Sequence, residues 1–327
     1  MERREFLKTG AIVAGSVAAG RLGGDAASGA EAQCDCVNAP KLPRRAYGDT
    51  GERLSIIGFG GIVVSGAEQE QANRVVAEAV EKGVNYFDVA PSYGDAEIKL
   101  GLALEPYRKD VFLACKTTQR TKEGAAGELA DSLRRLRTDH LDLYQLHAIT
   151  DVQKDVDAAF GPGGAMEVFL EAKKQGQVRY LGFSAHSEEA ALAAMERYDF
   201  DSILFPINFA TFYEGDFGPR VIAAAKSKGV ARLALKAMAR QQWPKDDPLR
   251  VQYPKCWYQP LTDRNEAKLG LYFTLSQSVT AAIPPGDESL FHLALDLAMG
   301  FRPISQKEKE ALQQMARSLV CVFEHSA

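Results

Sequence analysis

The sequence is short of cysteine and of basic charge, and each shortage excludes a class of protein. Its five cysteines in 327 residues are few and odd in number, which excludes a disulfide-stapled scaffold. Its 39 Lys and Arg against 43 Asp and Glu leave a net charge of −4, so there is no basic excess to collect a phosphate backbone, and nucleic acid is not expected as a partner. A long hydrophobic run is also missing. The apolar stretch at residues 9–20 is too short, and too rich in Ala and Gly, for a membrane span. The Gly-rich dinucleotide fingerprint is incomplete: Gly58-Phe59-Gly60-Gly61 lacks its full spacing. What remains is a globular composition, 46% hydrophobic and 25% charged, with ample material for a large core. Cys115, Cys256 and Cys321 lie far apart and read as buried small apolar residues.

The chain opens Met1-Glu2-Arg3-Arg4-Glu5-Phe6-Leu7-Lys8, followed by the weakly apolar run. This resembles a twin-arginine signal, with Ala30-Glu31-Ala32 as a small-x-small cleavage site. The resemblance implies that residues 1–32 are a leader read by the twin-arginine export machinery. The mature chain is then periplasmic or extracytoplasmic, with no stable membrane span after cleavage. Residues 33–44 read as a linker. Its Cys34 and Cys36 are two ligands at most, which define no metal site, and none is expected.

From about residue 45 to 327 a single domain is expected. Short apolar runs fall at residues 54–61, 85–90, 111–117, 141–147, 178–185, 202–208, 231–237 and 280–286. Most are continuous rather than alternating, as parallel strands require when helices cover their outer side. Helical stripes lie between them: Ala72, Val75, Val76, Ala79 and Val80; Leu129, Leu133 and Leu136; Met166, Phe169 and Leu170. Eight such repeats predict a (β/α)8 TIM barrel, with a doubly wound sheet as the alternative. Residues 240–262 follow the seventh strand, lack periodicity, and are expected to overhang the barrel's top as a lid or binding loop.

In such a barrel the polar residues at the strand ends carry the chemistry. Strand two delivers Asp88 and then Tyr93, strand three Lys116, and strand four His147. A tyrosine hydroxyl is a poor acid at neutral pH, and a neighbouring ammonium lowers its pKa. Lys116 would do this for Tyr93. Asp88 would fix Lys116 and compensate its burial, and His147 could donate a hydrogen bond to a bound group.

The segments Asn85-Tyr86-Phe87-Asp88-Val89-Ala90-Pro91-Ser92-Tyr93-Gly94, Leu141-Asp142-Leu143-Tyr144-Gln145-Leu146-His147 and Val178-Arg179-Tyr180-Leu181-Gly182-Phe183-Ser184 resemble those of the aldo-keto reductase superfamily. The resemblance implies carbonyl reduction by hydride from NAD or NADP, on a small aldehyde or ketone, with these four residues as the catalytic set. It also implies cofactor contacts from Gly60, Gly61, Ser184, Asn208, Lys236, Pro285, Gly286 and Asp287. The pattern departs from the family at several of these places. Ala185 and Leu204 stand where the family has carboxamide-binding side chains, leaving Asn208 as the nearest polar substitute. Lys236 stands where a stacking Tyr is usual, and is positioned to bind a phosphate. Pro285, Gly286 and Phe291 replace the 2′-phosphate grip, while Asp287 and Glu288 would repel that phosphate. The backbone amides of the last barrel helix remain open to a pyrophosphate. The choice between NADH and NADPH stays open, as does a second reading in which the barrel binds a nucleotide or ligand without turnover. The mouth is expected to mix aromatics (Tyr93, Phe209, Phe212, Tyr213, Trp257) with few charges.

Overall fold

Strands covered on both faces need continuous apolar runs, and eight such runs form one parallel sheet in the computed structural model, which describes residues 41–325. The strands are β1 (Phe59–Gly60), β2 (Tyr86–Asp88), β3 (Phe112–Thr117), β4 (Leu141–Ile149), β5 (Val178–Ala185), β6 (Ser202–Pro206), β7 (Ala231–Leu235) and β8 (Ala281–Ala282), in that spatial order. A helix follows each: α1 (Gln69–Glu81), α2 (Ala96–Leu104), α3 (Lys122–Arg135), α4 (Ala165–Lys174), α5 (Glu188–Arg197), α6 (Pro219–Ser227), α7 (Arg264–Leu275) and α8 (Glu288–Met299). The Gly58 amide donates to the Ala282 carbonyl and the Ala282 amide to the Ile56 carbonyl, both at 2.9 Å, which joins β8 to the chain leading into β1. The fold is therefore a (β/α)8 barrel.

Strand parity divides the barrel interior into an apolar floor and a polar mouth. Residues two apart face the same way. On β3 that places Phe112, Ala114 and Lys116 in one row; on β4 Leu143, Gln145 and His147; on β5 Tyr180, Gly182 and Ser184. The lower members pack with Tyr86, Leu204, Leu233 and Ala281 in one buried cluster. A short hairpin, Arg44–Ala46 with Arg53–Ser55, brings Tyr47 and Leu54 into that cluster. Tyr47 is fully buried, packs at 5.1 Å from the Phe112 ring, and donates at 2.8 Å to Ser202 Oγ. The predicted run 54–61 thus splits in two, its first part serving the hairpin and its second β1.

The helices bury the expected stripes for the most part. α1 buries Ala72, Val75, Val76 and Ala79. α4 buries Met166, Phe169 and Ala172, but Leu170, read as part of its stripe, lies 48% exposed. It lines a groove of about 780 Å³ between α3 and α4 on the outer wall. A last helix, α9 (Gln306–Ala316), opens on a capping box of Ser305 and Glu308. Among the described residues no helix is long and apolar enough to cross a membrane. The leader read at residues 1–32, with Cys34 and Cys36, lies outside the described residues.

Candidate active site

The upper row of β2, β3 and β4 meets in a buried network centred on Asp88. Lys116 Nζ, fully buried, donates to Asp88 Oδ1, to the Val89 carbonyl at 3.0 Å, and to the Tyr93 hydroxyl at 3.4 Å. Asp88 Oδ2 accepts from Gln145 Nε2 at 2.9 Å and from the Tyr86 hydroxyl at 3.2 Å. A buried lysine is tolerable only when paired and hydrogen-bonded, and this one is both. Tyr93 is half-buried, with the Lys116 ammonium 4.9 Å from its ring centroid and the His147 ring edge-on at 5.8 Å. His147 Nδ1 sits 3.5 Å from Ser92 Oγ. The four predicted catalytic side chains therefore lie in one place.

The electrostatics differ from expectation at Tyr93. Burial raises its pKa, and the opposing pull of Lys116 is smaller, with Asp88 adding to the rise. Tyr93 is therefore a neutral phenol at neutral pH, not a lowered one. Burial also pulls on the Lys116 ammonium, but Asp88 and Tyr93 outweigh it and hold the pKa above the usual lysine value. Burial pushes His147 down to about 2, helped by Lys116 and other cations, so its imidazole is neutral and can donate one hydrogen bond. His186 is pushed down to about 4 by burial and by Lys236.

These groups open into a cleft of about 200 Å³ at the barrel mouth, whose wall includes Gly60, Ser184, His186, Lys236, Pro284 and Gly286. The segment 240–262 overhangs one side of the cleft, as expected. Its ends pair as Ala239–Gln241 with Gln259–Pro260, and it brings Lys255, Trp257 and Tyr258 into the cleft. Lys255 Nζ donates at 2.8 Å to the Val63 carbonyl, tying this segment to the loop after β1. Sequence reasoning missed Lys255 and Tyr258, which come from a stretch with no periodic signal. It also missed Gln145, which the inward parity shared with His147 could have revealed.

Other predicted residues are placed differently. Asn208 is fully buried, and its Oδ1 caps the short helix Phe209–Tyr213 by accepting from the Thr211 amide at 3.1 Å. Gly61 packs where a Cβ would come within 2.7 Å of Val89, which suits close approach of β1 to β2. Pro285 is buried outside the cleft wall. Two of the amides expected to be open at the start of α8 are taken: Asp287 Oδ1 accepts from the Ser289 and Leu290 amides at 3.0 and 3.2 Å. The mouth is not poor in charge, since Lys116, Lys236 and Lys255 all line it, while Phe209 is fully buried in the core. Among the described residues no cluster of His, Cys, Asp or Glu is placed to hold a metal ion.

Comparison with known proteins gives the lineage. The model of the aldo/keto reductase family matches residues 56–251, which hold β1 through β7 and the whole Asp88 network. The chain belongs to the aldo/keto reductase family. Over 158 residues this family member is 34% identical to an uncharacterized oxidoreductase, YqkF, of Bacillus subtilis, covering 44% of this chain and 49% of that protein. Over 222 residues it is 28% identical to L-galactose dehydrogenase of Arabidopsis thaliana, covering 61% of this chain and 66% of that protein. The chain thus spans between about half and two-thirds of these relatives. The holo form of aldo-keto reductase AKR11C1 from Bacillus halodurans superposes with a TM-score of 0.67 at 23% identity, over 85% of this chain and 98% of that one.

Parts of the site fit a nicotinamide cofactor. Ser184 Oγ accepts from the Ala148 amide at 2.7 Å, which leaves its hydroxyl proton for a carboxamide oxygen in the cleft. The Lys236 and Lys255 ammoniums add cationic donors for an acidic ligand. The capped start of α8, with Asp287 and Glu288 beside it, does not fit a phosphate in this conformation.

Proposed function

We propose that this family member is an NAD(P)-dependent oxidoreductase that reduces a small aldehyde or ketone, with Tyr93 as the proton donor. The observation that carries this reading is the Lys116 ammonium, which bonds at once to the Asp88 carboxylate and, at 3.4 Å, to the Tyr93 hydroxyl. When bound, the nicotinamide would supply the hydride to the carbonyl carbon. The chain's own residues handle the charge that this leaves on oxygen. Tyr93, neutral at working pH, gives its proton to that oxygen and becomes a phenolate. Lys116 stabilises the phenolate, and Asp88, held by Gln145 and Tyr86, keeps the ammonium in position. His147, neutral because burial pushes its pKa so low, donates to the carbonyl oxygen without competing as an acid. Ser184 would hold the carboxamide, and the phenolate regains its proton from solvent. Positioned acid catalysis of this kind is worth about 10²–10⁴-fold.

One observation favours a second reading, a barrel that binds ligand without turnover. The cleft is small, and the Lys255 bond to Val63 straps it on one side. A panel of aldehydes and ketones, assayed with NADH and NADPH, separates the two. Tyr93→Phe should lower reduction by at least about 10²-fold while cofactor binding, read by fluorescence, persists. A wild type that binds cofactor and reduces no member of the panel supports the second reading.

A further inference from the structure

Two cleft cations, Lys236 and Lys255, have no part in the Asp88 network, and of these Lys255 is tied to the Val63 carbonyl. Lys236 follows β7 with a backbone φ of 64°, in the left-handed region where a long side chain is strained. Such strain persists where the surroundings hold it, and it clusters at functional sites. The next residues, Ala237 and Met238, are fully buried, so the chain turns inward immediately after the lysine. Its ammonium lies 5.1 Å from the ring centroids of both Trp257 and Tyr258. Among the described residues no carboxylate pairs with it. The cleft carboxylate, Asp88, is taken by Lys116, and Asp287 caps α8. His147 and His186, which also face the cleft, are neutral. Two aromatic faces offset part of the cost of enclosing a cation, but they leave the positive charge of the cleft unmatched.

We propose that Lys236 is a substrate-anchoring subsite for an anionic group, so that the carbonyl compound taken by this cleft is a small oxo acid. Its carboxylate would pair with the Lys236 ammonium over Trp257 and Tyr258, while its carbonyl faces Tyr93 and His147. The polar groups at both ends of the cleft suit a short molecule charged at one end. The inference rests on the reading of this cleft as a carbonyl-reducing site. A bound anion would also return the depressed lysine toward its ordinary value, since opposite charge favours the protonated form.

The test compares 4-oxobutanoate with butanal, equal in length and different in charge, on the full-length protein and its Lys236→Met and Lys236→Arg variants. The wild type should favour the oxo acid in kcat/KM, and Lys236→Met should cut that ratio by on the order of 10- to 100-fold, mainly through KM. Lys236→Arg, which keeps the charge, should retain most of the preference. A ratio unmoved by Lys236→Met overturns the proposal. So does a loss of NAD(P)H affinity in that variant with the ratio intact, which would give the ammonium to a cofactor phosphate. If the wild type reduces neither aldehyde, the reductase reading fails, and thermal melts decide the subsite alone. Succinate, and not butane-1,4-diol, should then raise the melting temperature of the wild type and not of Lys236→Met; equal responses in both proteins overturn it.

Discussion

Replacing Asp88 by Asn tests the charge logic of the site with little change of shape. The Asn side chain can still accept from Gln145 and Tyr86, but Lys116 loses its counter-charge and keeps only the Val89 carbonyl and the Tyr93 hydroxyl. Lys116 is fully buried, so this leaves an uncompensated charge in the barrel, at a cost of roughly 3–5 kcal/mol. At about 2–4 °C per kcal/mol for a chain of this size, the melting temperature at pH 7 should fall by roughly 6–20 °C. The pH dependence gives a second, independent sign. In the wild type the lysine pKa is raised, so its contribution is fully present below the unfolded value and is lost only as pH rises through the folded one. In Asp88→Asn, burial dominates and lowers that pKa, so the penalty is largest at neutral pH and shrinks as the lysine deprotonates. The gap between the two proteins should therefore narrow from pH 7 toward pH 10. Calorimetric melts across that range read both effects. A variant that melts within about 2 °C of the wild type at pH 7, as a neutral surface change would, refutes the reasoning.

Two further predictions concern packing and targeting. A Cβ at Gly286 would lie 2.1 Å from Ile62 Cγ2, so Gly286→Ala should force the loops after β8 and β1 apart and destabilise the protein by about 1–3 kcal/mol, read in denaturant melts; an unchanged midpoint counts against the close approach. On the twin-arginine reading of residues 1–32, replacing Arg3 and Arg4 together by Lys should retain the protein in the cytoplasmic fraction at uncleaved mass, measured by cell fractionation and mass spectrometry, and undiminished export would remove that reading.

The barrel was legible in its eight apolar runs with helical stripes between them, and the gathering of Asp88, Tyr93, Lys116 and His147 in the polar residues at or just past the ends of those runs. A lysine in Phe-Leu-Ala-Cys-Lys-Thr breaks an apolar run, and the alternation of β3 points it the same way as Phe112 and Ala114. The same alternation carries Asp88 and His147 to the mouth, and the helical stripe of α1 supplied the outer layer. What was not legible depends on local geometry that residue type leaves open. Asn208 and Asp287 are polar residues near strand ends, which suits a ligand contact and a helix cap equally well; the structure uses both as caps. Leu170 fits the period of its helix but lies on the side that no neighbour covers. The positive φ of Lys236, which turns a surface-like lysine into a cleft residue, has no sequence signature. Lys255 and Tyr258 reach the site through a long aperiodic segment whose path depends on its pairing with Ala239–Gln241 and on the Val63 carbonyl.

The central claim is that Tyr93 and Lys116 act as one proton-donating unit, and a double-mutant cycle on kcat tests it most directly. Tyr93→Phe, Lys116→Met and the double variant are compared with the wild type, each checked for a native melt. Groups that work as a unit are strongly non-additive, so the double variant should be no more than a few-fold slower than the worse single one. Losses that multiply across the cycle would mean that the phenol and the ammonium act independently, and would contradict the account.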